Sequence, residues 1–172
     1  MDPQAFKQRV LPVQGRLFRL AQLFLRNREE AEDALQDVLL RLWSNRQQLD
    51  AHHSVEALAV QITKNLCLDR LKTSRRHPIS DTADYQNVLA NEASPYHQLE
   101  LIDSARLMQR LIDALPDQQK LIIHLREVDE CSFEEIEQLT RLTINNIRVI
   151  LSRTRQRLRD DYLKVNNHET NY

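Results

Sequence analysis

Glycine is almost absent from this chain: Gly15 is the only one in 172 residues, where average usage would give about a dozen. Glycine supplies the positive-φ positions of tight hairpins and of loops that cradle phosphates. Its scarcity argues against a β-rich fold and excludes both a P-loop and a G-x-G-x-x-G dinucleotide fingerprint. Long runs of Leu, Arg, Gln and Glu predict an all-α chain instead.

Cysteine, long apolar runs and net charge are also scarce. Cys67 and Cys131 are isolated and form no CxxC motif, which fits a reducing cytosol. No apolar run approaches the ~18 residues of a membrane span, and the first ten residues lack the apolar core of a signal peptide. We therefore expect a cytoplasmic protein with no membrane insertion of its own. The formal net charge of −1 is, by itself, unlike a nucleic-acid binder.

Clusters of reactive side chains are missing as well. The six histidines are scattered, with no H-x-x-x-H spacing and no accompanying thiols, which argues against a zinc site. Serine and cysteine occur in no recognisable nucleophile motif. We expect no catalytic residue, no metal and no cofactor, and an enzyme is the least favoured class of protein.

Residues 77–98 separate two helical units. This segment contains Pro78 and Pro95, carries no Lys or Arg, and shows no sustained helical period, so it is predicted to be a flexible linker. The chain is thus expected to form two small helical domains, at residues 6–76 and 99–165, with a frayed tail at 166–172. Residues 1–76 carry more basic than acidic side chains, and residues 99–172 the reverse. The near-neutral net charge of the chain is therefore the sum of a basic first unit and acidic segments after it.

Apolar side chains recur at helical spacing in the first unit. They predict three or four helices, and Gly15 is expected before the first helix with a clear apolar stripe. Asn27 can cap the second helix, with Glu30 three residues on, and that helix is acidic and ends in Trp43. Its acids are typical either of a surface that docks on a basic partner or of a solvated face. The third helix ends in a basic segment that suits a nucleic-acid strand or ordinary charge at a helix C-terminus.

The second unit ends in a helix-turn-helix pattern. Ser132 to Glu135 is a capping box that opens a short helix, a break follows at Thr140–Thr143, and Thr143 caps a longer helix. From Arg141 to Arg159 there are six arginines and no acid. Recognition helices reach base edges from their first residues, and Arg and Asn pair with guanine and adenine. The alternative is a solvated basic face on an ordinary helical hairpin.

The order of these pieces resembles a sigma factor of bacterial RNA polymerase, of the extracytoplasmic-function (ECF) group. The resemblance covers roughly residues 10–163. Matches to the A-E-D-x-x-Q-x-x-F-x-x-x-W pattern of region two are Ala31, Glu32, Asp33, Gln36 and Trp43. Matches to its I-A-x-N-x-x-x-D segment are Ile62, Asn65 and Asp69. Matches to region four are Leu115-Pro116, Ser132 to Ile136, Ile147-Arg148 and Arg153-x-Arg155.

The resemblance implies a promoter-specificity subunit with three surfaces. The acidic helix would dock on the β′ clamp helices of the core RNA polymerase through Asp33, Gln36, Asp37, Leu40 and Trp43. The third helix and the loop before it would hold the unpaired minus-ten strand, with a flipped base at Asn65, through Leu49, His52, His53, Asn65, Asp69, Lys72, Arg75 and Arg76. The helix-turn-helix would bind the minus-thirty-five element through Arg141, Thr143, Asn145, Asn146, Arg148, Val149, Ser152, Arg153 and Arg155. It also implies an anti-sigma factor as a partner, although no residue identifies one.

The helix-turn-helix departs from the family pattern at several positions. Glu137 stands where the family has alanine, Arg141 where the turn has glycine, and Val149-Ile150 where it has Ser-Arg. If the backbone at Arg141 is left-handed, its side chain costs about 1–2 kcal/mol, unless the turn is built differently or the side chain offsets the strain by reaching phosphate.

Two other functions compete with a sigma factor. A free-standing helix-turn-helix regulator has no use for the acidic helix with Trp43. A helical adaptor that does not bind DNA has no use for the acid-free arginine helix.

Overall fold

The computed structural model describes residues 2–49, 54–76 and 95–169, with side chains at 2–49, 54–74 and 101–165. Within these residues all regular structure is helical, which confirms the predicted all-α class. The helices are α1 (Pro3–Val10), α2 (Gln14–Leu25), α3 (Arg28–Ser44), α4 (Val55–Arg76), α5 (Pro95–Asp113), α6 (Asp117–Glu127), α7 (Phe133–Thr140) and α8 (Ile144–Glu169), with a 3-10 turn at Leu11–Val13.

Helices α2, α3 and α4 pack on one another around the stripes predicted from the sequence. On α2 the four stripe residues Leu17, Leu20, Ala21 and Phe24 are all buried. They meet buried side chains of α3 and α4, chiefly Val38, Leu42, Ala59, Val60 and Leu66. Burial of a large aliphatic side chain contributes about 1.5–3 kcal/mol, so these faces hold the three helices together.

Side-chain caps mark several helix starts. The Asn27 side chain accepts a hydrogen bond from the Glu30 amide at 3.0 Å, which confirms the predicted cap of α3. The Ser132 hydroxyl accepts from the Glu135 amide at 3.1 Å, and the Glu135 carboxylate accepts from the Ser132 amide at 2.7 Å. The predicted capping box is therefore complete, and these bonds with Ser132 lower the pKa of Glu135.

The single glycine occupies none of the left-handed positions in the part of the chain that is described. Gly15 is the second residue of α2, so the expectation that it precedes the first helix with a clear apolar stripe was wrong. The left-handed positions are Arg26 (φ 60°), Glu130 (φ 53°) and Arg141 (φ 61°). Arg26 ends α2 and Arg141 ends α7. Each of these positions carries a side chain, whereas glycine there would be unstrained.

The described residues fall into two compact units that do not follow the two halves of the sequence. One is drawn from residues 1–84 and 124–144, and the other from 85–123 and 145–172. In the first unit α7 packs on α4, and the Gln61 side-chain amide donates to the Leu139 carbonyl at 3.4 Å. The second unit has its own buried side chains, including Leu107, Leu121, Ile122, Leu151 and Leu158.

Two helices extend beyond their predicted limits. Helix α5 begins at Pro95, so the last four residues of the predicted linker 77–98 are helical. Proline suits this position, because the first amides of a helix have no intrahelical acceptor. Helix α8 continues to Glu169, so the predicted frayed tail is helical over 166–169. Residues 77–94 and 170–172 lie outside the described chain.

Candidate nucleic-acid interface

The arginine-rich face of α8 is exposed as the sequence predicts. The buried stripe of this helix consists of Ile147, Leu151, Thr154 and Leu158. The nine residues predicted to bind the minus-thirty-five element are all exposed: Arg141, Thr143, Asn145, Asn146, Arg148, Val149, Ser152, Arg153 and Arg155. Since Val149 is a large apolar side chain that stays 45% exposed, this face is available to a partner.

The turn between α7 and α8 is held by side chains. The Arg141 amide donates to the Glu137 carbonyl at 2.8 Å, at a left-handed residue. The Thr140 hydroxyl donates to the Ile136 carbonyl at 2.7 Å and accepts from the Leu142 amide at 3.3 Å. A Glu137 carboxylate oxygen accepts from the Ile144 amide at 3.2 Å. The residue that replaces alanine in the family pattern therefore binds the first amide of α8.

The predicted minus-ten surface is brought together in part. Asn65, Asp69 and Lys72 are all exposed, and their spacing of four and three residues places them on one face of α4. Leu49 was predicted to contact DNA, but its side chain is only 1% exposed. It is an apolar core residue at the end of the segment after α3, so its predicted DNA contact was wrong. His52 and His53, and the side chains of Arg75 and Arg76, lie outside the described residues.

The acidic face of α3 is partly engaged by α4. Asp33, Gln36, Leu40 and Trp43 are exposed, and Leu40 is 63% exposed. Arg70 of α4 binds the Asp37 carboxylate at 2.5 Å and that of Asp33 at 2.9 Å. Partial burial of Arg70 opposes its charged form, but these bonds and charges raise its pKa. Arg70 therefore belongs with the acidic face of α3.

Trp43 is held between two neighbours that the sequence analysis did not single out. The ring of Phe6, from α1, meets the Trp43 ring edge-on, with centroids 5.1 Å apart. The Arg46 guanidinium lies 4.3 Å from the centre of the same ring, and it also donates to the Trp43 carbonyl at 3.0 Å. Such contacts fix an aromatic side chain that remains 36% exposed. No sequence spacing connects Phe6 with Trp43.

A buried carboxylate joins α2 to the segment between α6 and α7. The Asp129 side chain is fully buried, lying 2.7 Å from Nε of Arg19 and 3.4 Å from Nε of Arg16. Arg16 also binds Glu56 of α4. His124 lies beside Asp129, with 4.0 Å between Nε2 and the carboxylate. Burial lowers the pKa of His124, and the charges of Arg19 and Arg26 lower it further against the pull of Asp129. Sequence reasoning missed this cluster, since Arg19 and Asp129 are 110 residues apart.

Both cysteines are free and buried. Burial raises the pKa of the Cys67 thiol to about 11 and also raises that of Cys131. A thiol reacts as its thiolate, so these environments make both side chains unreactive. Among the helices that the structure describes, none is long and apolar enough to cross a membrane.

Comparisons with known proteins agree with this arrangement. The model of Sigma-70 region 2 matches residues 10–77, and the model of Sigma-70, region 4 matches residues 105–158. The chain is 24% identical over 166 residues to the ECF RNA polymerase sigma factor SigW of Bacillus subtilis, covering 92% of this chain and 89% of the relative. It is 31% identical over 161 residues to the ECF RNA polymerase sigma factor SigE of Mycolicibacterium smegmatis, covering 90% of this chain and 60% of that relative.

A solved structure shares the fold. It is the sigma factor RpoE in complex with the anti-sigma factor NepR from Bartonella quintana, which is 24% identical with a TM-score of 0.63 and covers 94% of this chain and 98% of its own. The helical fold and the two matched regions define a sigma-70-type transcription initiation factor. The chain belongs to the ECF sigma factors, and it directs RNA polymerase to promoters.

Proposed function

We propose that α8 reads the minus-thirty-five element of the promoter in the major groove. The observation that carries this proposal is the exposed arginines of α8 and of the turn before it: the stretch from Arg141 to Arg159 has six arginines and no acid. Asn145, Asn146 and Arg148 lie in the first turns, where a recognition helix meets base edges. The later arginines suit phosphates, which position a protein on DNA without specifying sequence.

We propose that the exposed face of α4 holds the minus-ten strand. Asn65 carries both a donor and an acceptor and is exposed on α4, so it can pair with the edge of an unpaired base. Lys72 lies on the same face and can bind a phosphate, while Asp69 suits a base amino group. The resemblance supports this role, since Asn65 and Asp69 match the I-A-x-N-x-x-x-D pattern of region two and lie within the residues that the region 2 model matches.

We propose that the exposed face of α3 binds the clamp helices of the core RNA polymerase. Its apolar centre is Leu40, flanked by Trp43 on one side and by Gln36 and the acids on the other. An apolar centre with a charged rim is typical of a protein interface. Arg70 orients Asp33 and Asp37, so these carboxylates are fixed before the partner arrives.

We further propose the cellular setting of this protein. It acts by binding and not by catalysis, in the cytoplasm where the polymerase meets DNA. An anti-sigma factor is a proposed partner, because the solved sigma factor with the same fold is bound to one.

Transcription in vitro tests the proposed function. The full chain is added to core RNA polymerase with a library of genomic promoter fragments, and start sites are mapped. We expect starts at one set of promoters that share two sequence elements, with none from core polymerase alone. A chain that binds those fragments without polymerase, and adds no start site to it, would contradict the proposal and favour a free-standing regulator.

A further inference from the structure

The turn that leads into α8 has a left-handed first residue but no glycine. Arg141 has φ 61° and ψ 20°, a conformation in which the Cβ of an L-residue is crowded by the following carbonyl oxygen. The family pattern has glycine here and alanine at position 137, and this chain has Arg141 and Glu137. A turn of this shape therefore carries backbone strain, and other bonds are needed to hold it rigid.

The structure supplies that rigidity through side chains of α7. Thr140 bonds backward to the Ile136 carbonyl and forward to the Leu142 amide. Glu137 reaches across the turn to the Ile144 amide at 3.2 Å. The first amides of a helix have no partner within the helix, and a carboxylate there is also favoured by the helix dipole. Glu137 thus acts as a cap of α8 that comes from the preceding helix.

We propose that Glu137 is a positioning residue for promoter recognition, which sets the direction in which α8 leaves the turn. This inference rests on the proposed role of α8 in reading DNA. Asn145, Asn146 and Arg148 follow directly after the capped amide, so a change of tilt at Ile144 moves all three. Paired hydrogen bonds to base edges need side chains held within about 0.5 Å. Phosphate contacts from flexible arginines tolerate such a movement.

The same geometry explains the two departures together. With glycine at position 141 the left-handed turn is intrinsically allowed, and a small residue at 137 is sufficient. With Arg141 the turn is strained, and the Glu137 bond compensates for that strain. The two positions are therefore expected to be energetically coupled.

The experiment uses the full chain bound to core polymerase and a panel of promoters with single changes in the upstream element, at one salt concentration. The measured quantity is the ratio of affinities for the best and the worst promoter. Glu137→Ala is expected to lower this ratio by about 3- to 10-fold, the effect of losing one ordinary hydrogen bond. Glu137→Gln keeps an acceptor oxygen and should stay within about twofold of the parent. Glu134→Ala, on an exposed residue of the same helix, is the matched control and should change nothing.

The double variant Glu137→Ala with Arg141→Gly sharpens the test. It is compared with Arg141→Gly alone, and the loss caused by Glu137→Ala should fall below about twofold once glycine is present. This comparison also tests the proposal if Glu137→Ala alone folds poorly. An unchanged ratio in Glu137→Ala, or an equal loss for every promoter in the panel, would overturn the positioning role. If the parent chain itself shows no preference within the panel, the proposed role of α8 fails instead.

Discussion

The basic side chains of α8 and those of α2 and α4 differ in what surrounds them. The arginines from Arg141, in the turn before α8, to Arg155 are exposed, and this stretch of the sequence contains no acid. On α2 and α4, Arg16 and Arg19 meet the buried Asp129, and Arg70 meets Asp33 and Asp37. The comparison shows that basic residues in a sequence can form either an exposed face or ion pairs between helices, and that their spacing alone does not distinguish the two.

The largest effect is expected at Asp129. Replacing Asp129 with Asn removes the buried charge that Arg16 and Arg19 share, so Arg19 loses this partner while Arg16 still binds Glu56. We expect the unfolding free energy to fall by about 3 kcal/mol, measured by urea denaturation followed by the helical signal. Glu130→Gln makes the same charge change at an exposed neighbour and should shift stability little. A similarly small change in unfolding free energy for Asp129→Asn would mean that water hydrates the arginines in place of the carboxylate.

Arg148→Ala probes the exposed side of the comparison. If Arg148 pairs with a guanine, its loss should cost about 1–3 kcal/mol at one promoter position, with little change in stability because the side chain is exposed. Competition binding of promoter variants by the polymerase complex measures this. A uniform loss across all variants would make Arg148 a phosphate contact.

Arg70 and Arg153 form a matched pair, since each is an arginine on a helix assigned to DNA binding. Arg153→Gln should reduce the salt dependence of promoter binding by about one unit. Arg70→Gln should leave that slope unchanged, because its charge is already engaged with α3. A double-mutant cycle of Arg70→Gln with Asp37→Asn should instead show that the two residues are coupled by about 0.5–1 kcal/mol in the free energy of unfolding. A reduced salt slope for Arg70→Gln would remove the distinction between the two surfaces.

The smallest change concerns the backbone. Gly15 lies in α2 next to Arg16, and an added Cβ would meet only the end of the Arg19 side chain, at 3.4 Å. Gly15→Ala should therefore stabilise the protein by about 0.5 kcal/mol, because glycine loses more backbone entropy in a helix. A rise in the urea midpoint checks this. A fall would show that Arg19 had been displaced from Asp129.

Local patterns in the sequence were enough to predict helices α2 to α8 and the exposed arginines of α8. The stripe on α2, the caps at Asn27 and Ser132 and the exposed arginine face of α8 depend on spacings within one or two turns. The missing turn glycine points to Arg141 as the residue whose backbone conformation matters, and its φ is 61°. The DNA contact predicted for Leu49 was wrong because the sequence around a single leucine after a helix does not indicate whether its side chain faces the core or a ligand.

The sequence by itself determined the all-α class, the order of the motifs and the membership among ECF sigma factors. The class and the order of the motifs follow from helical periodicity and from residue types at short spacing, and the family follows from the resemblance of those motifs to ECF sigma factors. Only the tertiary structure decided which charges meet: Asp129 with Arg16 and Arg19, and Arg70 with Asp33 and Asp37. It also decided that Glu137 caps α8 in a turn without glycine. The physical reason is that such contacts join helices far apart in the chain or cross a turn, and no local spacing encodes them.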